Sequence, residues 1–490
     1  MSHGNTYTCS NNERIPLIDV PTLPTDSFLE EVSRIVQRGG RLAALFVQPF
    51  EGKNRLYAVA LVGEEGGVML TSCIVEESYP SLTRVCPQAH LFEREIAELW
   101  KVTPVGHPWL KPVRFSDSPI GIAEFFQVEG SDVHEVAVGP VHAGIIEPGH
   151  FRFNCVGEEV LHLEIALGYQ FRGVEQALAG GPNPRTIHYM ETLAGDTSVG
   201  HATAYSQIVE SLAEVQISLR AMTLRSIALE LERLANHTGD LGALAGDVGY
   251  SPVASHCGRI RGDFLNLTAM ICGNRLGRGI ARPGGVGYDL CDDDVSLMAE
   301  KLQRAREDVA VAIQLLWNST SVVDRFEGTG VLDRNLCREL GVVGPAARAA
   351  GMERDVRLEY PSDVYRFAQI PVSCWHTGDV FARAYVRWLE ICRSADFVQS
   401  LLTGIQKETA RVQPGAMKAN SLAVALVEGW RGEICHVACT DGEGRFRWYK
   451  VVDPSFHNWS GLAWAMRNQQ ISDFPLCNKS FNLSYCGHDL

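Results

Sequence analysis

The residue types that most often bind transition metals are numerous in this chain, which contains 14 cysteines and 15 histidines. The one close cysteine pair, Cys435 and Cys439, lies in a sequence typical of a β-strand. Residues four apart on a strand share a face but stand about 13 Å apart, which is too far for both to bind one metal ion. We therefore interpret the cysteines as mostly buried thiols.

Motifs that bind nucleotides or catalytic zinc give no better candidate. The sequence has no P-loop and no HExxH pattern. The glycine-rich segment Gly284–Gly287 follows Arg282 and Pro283 rather than a strand, and it lacks the downstream context of a dinucleotide site. It is a poor Rossmann candidate.

A set of histidines, carboxylates and arginines remains, placed at the predicted ends of helices and strands. Taken singly, each is more often a surface or satisfied polar group than a functional one. Glycine and proline beside several of them indicate loops of fixed shape, where functional sites tend to lie. The set comprises His142, Glu147, His150 and Arg152; Glu191, Asp196 and His201; Arg431 and His436; and Asp453.

The composition limits what these residues can serve. The chain has 490 residues, 46% of them hydrophobic, and a formal charge of −14. An acidic balance argues against nonspecific binding of nucleic acid, so we expect no nucleic-acid partner. No apolar stretch approaches the roughly 18–20 residues that span a bilayer, so any membrane role must come through partner subunits. With no signal-peptide pattern at the start, we expect reduced thiols and a core that needs no disulfides.

The first hundred residues read as a small α+β unit. Short β-rich runs at Ala43–Phe50, Leu56–Val62 and Val68–Val75 are separated by turn-like stretches and predict a three-strand meander. His90–Trp100 follows as a short amphipathic helix. A segment rich in proline and glycine then leads to a domain boundary near residues 113–130.

The rest of the chain is predicted to be mainly helical, with strands at its periphery. Strands are expected at His134–Val141 and His150–Val156, and a hairpin at Glu433–Val452 around an Asp-Gly turn. Apolar residues at spacings of three and four predict one long helix or two packed helices between Ile208 and Leu234. Further stripes of this kind begin at Leu302 and Val380.

Several motifs resemble one family. GPVHAGIIEPGHFRF from Gly139, LERLANHTGDLGALAGDVGY from Leu231, GDVFARAYVR from Gly378 and GWRGEICHV from Gly429 are similar to the large subunits of membrane-bound, energy-converting nickel-iron hydrogenases and to the quinone-site subunit of respiratory complex I. YPSLTRVCPQAHLFEREIAELW from Tyr79 resembles the small hydrophilic complex I subunit that formate hydrogenlyase carries fused to its large subunit. The resemblance covers most of the chain and implies an α+β fold. A small α+β domain at 1–120 would precede a mainly helical, hydrogenase large-subunit-like domain at 121–490, with peripheral β-hairpins.

The sequence departs from the family at its metal ligands. The hydrogenases hold nickel and iron through four cysteines, two in a motif of the type E-x-x-C-G-x-C-x-x-x-H and two in D-P-C-x-x-C. In ETLAGDTSVGH from Glu191, Ala194 and Thr197 occupy the first two positions. In DPSFHN from Asp453, Ser455 and Asn458 occupy the other two. Alanine cannot bind a metal, and Ser, Thr and Asn are weak, hard ligands. We therefore expect no nickel-iron centre and no hydrogenase activity.

The resemblance implies roles for individual residues. Glu147 matches the hydrogenase glutamate that transfers protons near the metal, and it should be buried if it serves a proton path. Arg431 matches the arginine over the site and His436 a family histidine. Tyr189 falls near the tyrosine that binds the quinone headgroup in complex I, and His142 and His150 are both candidates for the quinone histidine.

Two functions remain open. The first is a peripheral-arm subunit of a membrane-bound, complex I-like oxidoreductase that couples electron transfer to proton or sodium translocation. The resemblance implies an iron-sulfur small subunit carrying a 4Fe-4S cluster, a ferredoxin-like iron-sulfur subunit, antiporter-like and anchor membrane subunits, and possible use of quinone. It also implies a peripheral position on the cytoplasmic side of the inner membrane and no cofactor on this chain itself. The alternative is a redox-silent scaffold that joins the iron-sulfur subunit to the membrane arm.

Overall fold

The computed structural model describes residues 2–63, 67–116, 124–141 and 146–490. The strands are β1 Ser2–His3, β2 Thr6–Cys9, β3 Arg14–Pro16, β4 Thr22–Leu23, β5 Arg41–Phe50, β6 Lys53–Val62, β7 Gly67–Val75, β8 Ser78–Pro80, β9 Thr103–Val105, β10 Val133–Val138, β11 His150–Val156, β12 Glu159–Ala166, β13 Ala281–Arg282, β14 Gly285–Val286, β15 Ser421–Gly429, β16 Gly432–Thr440 and β17 Phe446–Val452. The helices are α1 Thr25–Gln37, α2 His90–Trp100, α3 Val174–Leu178, α4 Thr186–Met190, α5 Ser198–Leu212, α6 Leu219–Asp247, α7 Ser251–Cys272, α8 Asp292–Trp317, α9 Thr320–Phe326, α10 Arg334–Leu340, α11 Gly344–Ala349, α12 Val356–Glu359, α13 Val380–Thr403, α14 Pro454–Ala465, α15 Phe474–Phe481 and α16 Tyr485–Asp489.

The predicted meander is confirmed as the centre of a larger N-terminal sheet. Strands β5, β6 and β7 pair in antiparallel register, β2 and β1 extend the sheet beyond β7, and β4 pairs with β7 in parallel. Almost every residue of β5 is buried, because both faces of the sheet are covered. The predicted helix His90–Trp100 has the same bounds in the structure.

A second sheet, in the order β17-β16-β15-β3, packs against the first. Phe46 and Tyr57 of the N-terminal sheet contact Trp448 of β17 with ring centroids 5.3 Å apart. Side chains alternate across a strand, and so one face of β16 joins this inter-sheet core while Ile434 and Ala438 face the helices. Because β3 pairs with β15, a strand from the predicted N-terminal domain completes this sheet. The division into domains at 1–120 and 121–490 stays a prediction.

The helical core consists mainly of α5, α6, α7, α8 and α13. The apolar stripe that begins at Ile208 is divided between two helices, since α5 ends at Leu212 and α6 begins at Leu219. Ser218 caps α6 by accepting a hydrogen bond from the Ala221 amide. Among the described residues, none of the helices combines the length and apolarity that crossing a bilayer requires.

A third sheet places β11 between β10 and β12. The sequence interpretation missed β12, whose residues Glu159–Ala166 pair with β11 in antiparallel register. Phe151 and Phe153 of β11 pack on Phe474 of α15 with ring centroids 4.9 and 5.0 Å apart. The architecture confirms the predicted α+β class, mainly helical after the N-terminal sheet.

Candidate functional site

The turn before α5 carries the first two positions where the hydrogenases have cysteines. The Thr197 amide donates to the Ala194 carbonyl at 2.9 Å. The carbonyl of Asp196 accepts from the indole of Trp430 and from the side chain of Asn236, each at 3.0 Å. Ala194 and Thr197 are fully buried. The turn is therefore held in one shape by groups from α6 and from the turn between β15 and β16.

Arg431 lies in the tight turn between β15 and β16 and faces this segment. Its guanidinium donates to both carboxylate oxygens of Asp196 at 2.6 and 2.8 Å, and to the Thr197 hydroxyl at 3.2 Å. It also lies 3.9 Å over the Trp430 ring. Burial alone lowers the pKa of Arg431, but Asp196 and Asp453 outweigh burial and raise it. The cation is fixed in place.

The other two cysteine positions lie in the first turns of α14. Both atoms of the Asn458 amide bond to the backbone of Val343: Oδ1 accepts from its N–H at 2.9 Å and Nδ2 donates to its carbonyl at 3.1 Å. The Ser455 hydroxyl accepts from the Ser484 amide at 2.8 Å. Asp453 caps the helix by accepting from the Ser455 amide at 2.8 Å.

Asp453 is also the end of a buried array of four side chains. Its Oδ2 lies 3.0 Å from Nε2 of His201, whose Nδ1 lies 3.1 Å from Nε2 of His436. Nδ1 of His436 lies 2.8 Å from the hydroxyl of Tyr449. All four residues are at most 1% exposed. The array runs from the N-terminus of α14, through α5, to the hairpin β16–β17.

One arrangement of hydrogens satisfies every atom of this array. A carboxylate only accepts, so Nε2–H of His201 donates to Asp453 and Nδ1 of His201 must accept from His436. His436 then accepts from the Tyr449 hydroxyl at its Nδ1. Burial, reinforced by His201, lowers the pKa of His436 well below its usual value, and burial raises the pKa of Tyr449 well above its own. Both groups are neutral, and all hydrogens point toward Asp453.

The segment after α15 packs over the same residues. The carbonyl of Asn482 accepts from Nε of Arg431 at 2.5 Å, and the Tyr485 amide donates to Glu147 at 3.3 Å. Glu147 is half-buried rather than buried, because it lies in a loop ahead of β11 and not within an element. The Cys486 sulfur lies 3.4 Å from the Ser484 hydroxyl. Burial raises the pKa of Cys486 to about 11, which keeps it a thiol.

Other predicted site residues lie outside this group. Glu191 is buried and accepts from the Gly279 amide and from Arg282, each at 2.7 Å, so it anchors β13 and the loop that precedes it. Tyr189 packs half-buried against the helical core. His150 lies at the start of β11 with its ring 4.9 Å from Phe125. His142 falls outside the described residues.

The expectation that the polar set marks the ends of elements is wrong for three members, of which Arg152 lies within β11 and the other two are histidines. His201 lies inside α5 and His436 in the middle of β16, both fully buried. The sequence interpretation also missed Tyr449. The register of the hairpin could have identified it. Tyr449 stands opposite Ala438, which is two residues from His436 on the same strand, so Tyr449 and His436 share a face of the sheet. In the described ranges, no group of three or more His, Cys, Asp or Glu side chains could hold a metal ion.

Comparison with known proteins agrees with this architecture. Residues 247–420 match the family described as respiratory-chain NADH dehydrogenase, 49 Kd subunit, and residues 51–121 match the 30 Kd subunit. Formate hydrogenlyase subunit 5 of Escherichia coli (strain K12) is 28% identical over 94% of this chain and 87% of its own length. The carbon monoxide-induced hydrogenase of Rhodospirillum rubrum is 31% identical over 71% of this chain and 97% of its own length. A chain of the membrane-bound sulfane sulfur reductase, an archaeal respiratory membrane complex, superposes with a TM-score of 0.69 at 22% identity, covering 73% of this chain and 99% of that one.

The chain therefore belongs to the family that unites the 49 Kd subunit of respiratory-chain NADH dehydrogenase with the related hydrogenases. The predicted fusion of a 30 Kd-like unit to a 49 Kd-like unit is confirmed by the order of the two matches. The predicted class of function, a peripheral-arm subunit of a complex I-like, hydrogenase-related oxidoreductase, is confirmed by these relatives.

Proposed function

We propose that this chain carries out electron-coupled proton chemistry in a membrane-bound oxidoreductase without a nickel-iron centre of its own. One observation carries the proposal: three of the four positions where the hydrogenases place cysteine hold polar side chains already committed to hydrogen bonds within the protein, and the fourth is Ala194. The proposed site is the space around these positions, Arg431 and Asp453.

The donor set does not fit nickel. Nickel in this family requires soft thiolates, whereas an amide and two hydroxyls are hard, weakly donating groups. Asn458 uses both amide atoms on Val343, and binding a metal would break one of those bonds. Cys486 contacts Ser484, whose amide donates to Ser455, but the raised pKa of Cys486 disfavours the thiolate that a metal needs.

What the residues can do is hold and move a proton. In the resting array the hydrogens point to Asp453, so its carboxylate can take up a proton that arrives at the site and release it again, while His436 and Tyr449 hold His201 in the tautomer that donates to Asp453. The fixed Arg431 stabilises negative charge that arrives beside the array. We propose that the electron comes from a 4Fe-4S cluster in an iron-sulfur small subunit and passes to quinone or another acceptor.

The proposed assembly follows from the relatives. Subunits of hydrogenase and respiratory complexes match most of this chain, which supports membrane-anchored partners of the antiporter-like type and a ferredoxin-like iron-sulfur subunit. We place the chain on the cytoplasmic side of the inner membrane, attached through those partners.

The test uses the purified complex with Tyr449→Phe, Arg431→Ala and Glu147→Gln, assayed for electron transfer and ion pumping. Tyr57→Phe is the matched control, since its hydroxyl is also buried but lies in the N-terminal sheet. We expect Tyr449→Phe to slow turnover at least tenfold and to change its solvent isotope effect, while Tyr57→Phe leaves both unchanged. If all three site variants retain full electron transfer and pumping, the chain is a redox-silent scaffold.

A further inference from the structure

A cluster of buried ionic groups lies between the helical core and the two sheets, apart from the array at Asp453. Its members come from β5, α6, α11–α13, β15 and β16, and each is at most 5% exposed. The cations are Arg41, Arg233, Arg348 and Arg357, and the carboxyl groups are Glu230, Asp355, Glu390, Glu428 and Glu433. Four guanidinium groups buried to this degree therefore face five carboxyl groups, and the half-buried neighbours Arg354 and Glu359 add one charge of each sign, which leaves the difference unchanged. The adjoining His237 donates to Glu390 at 2.9 Å, and burial lowers its pKa, so it adds no positive charge.

One carboxyl group is thus in excess, and an uncompensated charge in a buried site is costly unless it takes up a proton. The hydrogen bonds identify which group is least compensated. Glu230 accepts from Arg233, Arg357, Tyr365 and Ser394. Glu428 has one guanidinium partner, Arg348 at 2.8 Å, and the amide of Val356 at 3.1 Å. The excess proton belongs most naturally on Glu428.

Two small cavities adjoin Glu428, each with about 10 Å³ of room for a water centre. This is close to the roughly 10–15 Å³ that one water molecule requires. The inner cavity is lined by Arg225, which pairs with Glu210, by Asp363, which accepts from Gln207, and by Arg357 and Tyr365. It is also lined by the hydroxyls of Thr203 and Ser226, which are buried and have no hydrogen-bond partner in the protein. A water there would satisfy both hydroxyls and contact Glu428.

The outer cavity leads toward the surface. It is lined by Arg41, Asp355, Glu433 and Arg354, in addition to Glu428. Arg354 also lines an open cleft of about 550 Å³ between α10 and the N-terminal sheet, and one of its Nη atoms has no partner. The cleft, the outer cavity and the inner cavity are therefore consecutive, with shared walls at Arg354 and at Glu428.

We propose that Glu428 is a buried proton-exchange site, which takes up and releases a proton through a water in the outer cavity and the cleft at Arg354. The proton comes from bulk water, binds one carboxylate oxygen of Glu428 and leaves by the same route. Burial raises the pKa of Glu428 to about 7 although Arg348 opposes the shift, which is consistent with exchange near neutral pH. The site is independent of the array at Asp453 and of the proposed function.

Infrared difference spectroscopy of the purified full chain tests this proposal between pH 5 and pH 9. We expect a protonated-carboxyl band that titrates near pH 7, that Glu428→Gln removes, and that exchanges rapidly in D2O. Glu232→Gln is the matched control. Burial raises the pKa of Glu232 to about 8, but Glu232 lines neither the cleft nor the two cavities. Its variant should keep the Glu428 band.

A second variant keeps the test decisive if Glu428→Gln does not fold. Val356 lines both small cavities, and Val356→Leu should partly fill them. The band should then persist while its deuterium exchange slows at least tenfold. A band that survives Glu428→Gln, or one whose exchange rate is the same in Val356→Leu as in the parent, would overturn the proposal.

Discussion

Replacing Asp453 by asparagine is expected to reverse the hydrogen bonds along the buried array. Asparagine has one acceptor oxygen, and the cap bond from the Ser455 amide uses it. Its NH2 group then faces His201 and must donate to Nε2. His201 changes tautomer and donates from Nδ1 to His436, which in turn donates to the Tyr449 oxygen. The hydroxyl of Tyr449 then has no acceptor in the array.

The cost can be worked from the same contacts. Asp453→Asn exchanges a charge-assisted bond of about 1.5–3 kcal/mol for a neutral one of about 0.5–1.5 kcal/mol, a loss of about 1 kcal/mol. The unpaired Tyr449 hydroxyl adds about 1–3 kcal/mol, so we expect a total loss of about 3 kcal/mol. Asp453→Ala also removes the helix cap, worth about 1 kcal/mol, and leaves His201 unpaired, for a total of about 3 kcal/mol. Denaturant unfolding of the full chain measures both values.

Nitrogen-15 NMR of histidine-labelled protein reports the tautomers directly. In the parent, both His201 and His436 should carry hydrogen on Nε2, and in Asp453→Asn both should carry it on Nδ1. Asp453→Ala serves as the control that disrupts the array without imposing a donor. Unchanged tautomers in Asp453→Asn, or a change in only one histidine, would refute the assignment of a single directed array.

Three further predictions concern stability. Burial alone would raise the pKa of Glu95, but Lys450 and Arg114 outweigh burial and lower it to about 2. The pairing of Glu95 therefore contributes about 3 kcal/mol to stability at neutral pH, and this contribution is lost as pH falls from about 5 to about 2. Urea unfolding should show Glu95→Gln less stable than the parent at pH 7 but not at pH 2. Burial raises the pKa of Glu232 to about 8, so the parent loses stability as pH rises from about 4 to about 8. Over that range Glu232→Gln should gain about 4 kcal/mol relative to the parent in thermal or urea unfolding. A stability difference between variant and parent that is the same at pH 4 and pH 8 would contradict the shift. Gly344 has φ +67°, and an added Cβ would lie 2.2 Å from the Arg431 carbonyl oxygen. Gly344→Ala should therefore lower the free energy of unfolding, measured in urea, by more than about 2 kcal/mol. The control is Gly404→Ala, where the nearest contact of an added Cβ is an ordinary 3.7 Å.

The sequence predicted elements well where a periodic pattern coincided with burial on one face. The meander β5–β7, helix α2 and the hairpin β16–β17 follow from alternation and from helical spacing. Strand β12 was missed because its burial is irregular along the strand, so no regular alternation of polar and apolar residues marks it. The sequence does not distinguish one helix from two between α5 and α6, because the apolar stripe continues across the break.

The candidate site was predicted in part. Arg431, Asp196 and Thr197 do lie together, as do His201, His436 and Asp453. The contribution of Asn482–Cys486 could not be read from the sequence, because it depends on the path of the chain after α15 and on backbone groups that carry no sequence signal. The excess charge around Glu428 likewise depends on the packing of separate elements, which no local pattern reveals.

The most direct test of the account is the metal content of the purified, active complex. Mass spectrometry of the metals, together with an assay for hydrogen uptake and evolution, should find far less than one nickel per copy of this chain and no hydrogenase activity. One nickel per chain that is lost together with activity in an Asn458→Ala variant would contradict the claim that these positions hold hydrogen-bonded side chains in place of a metal.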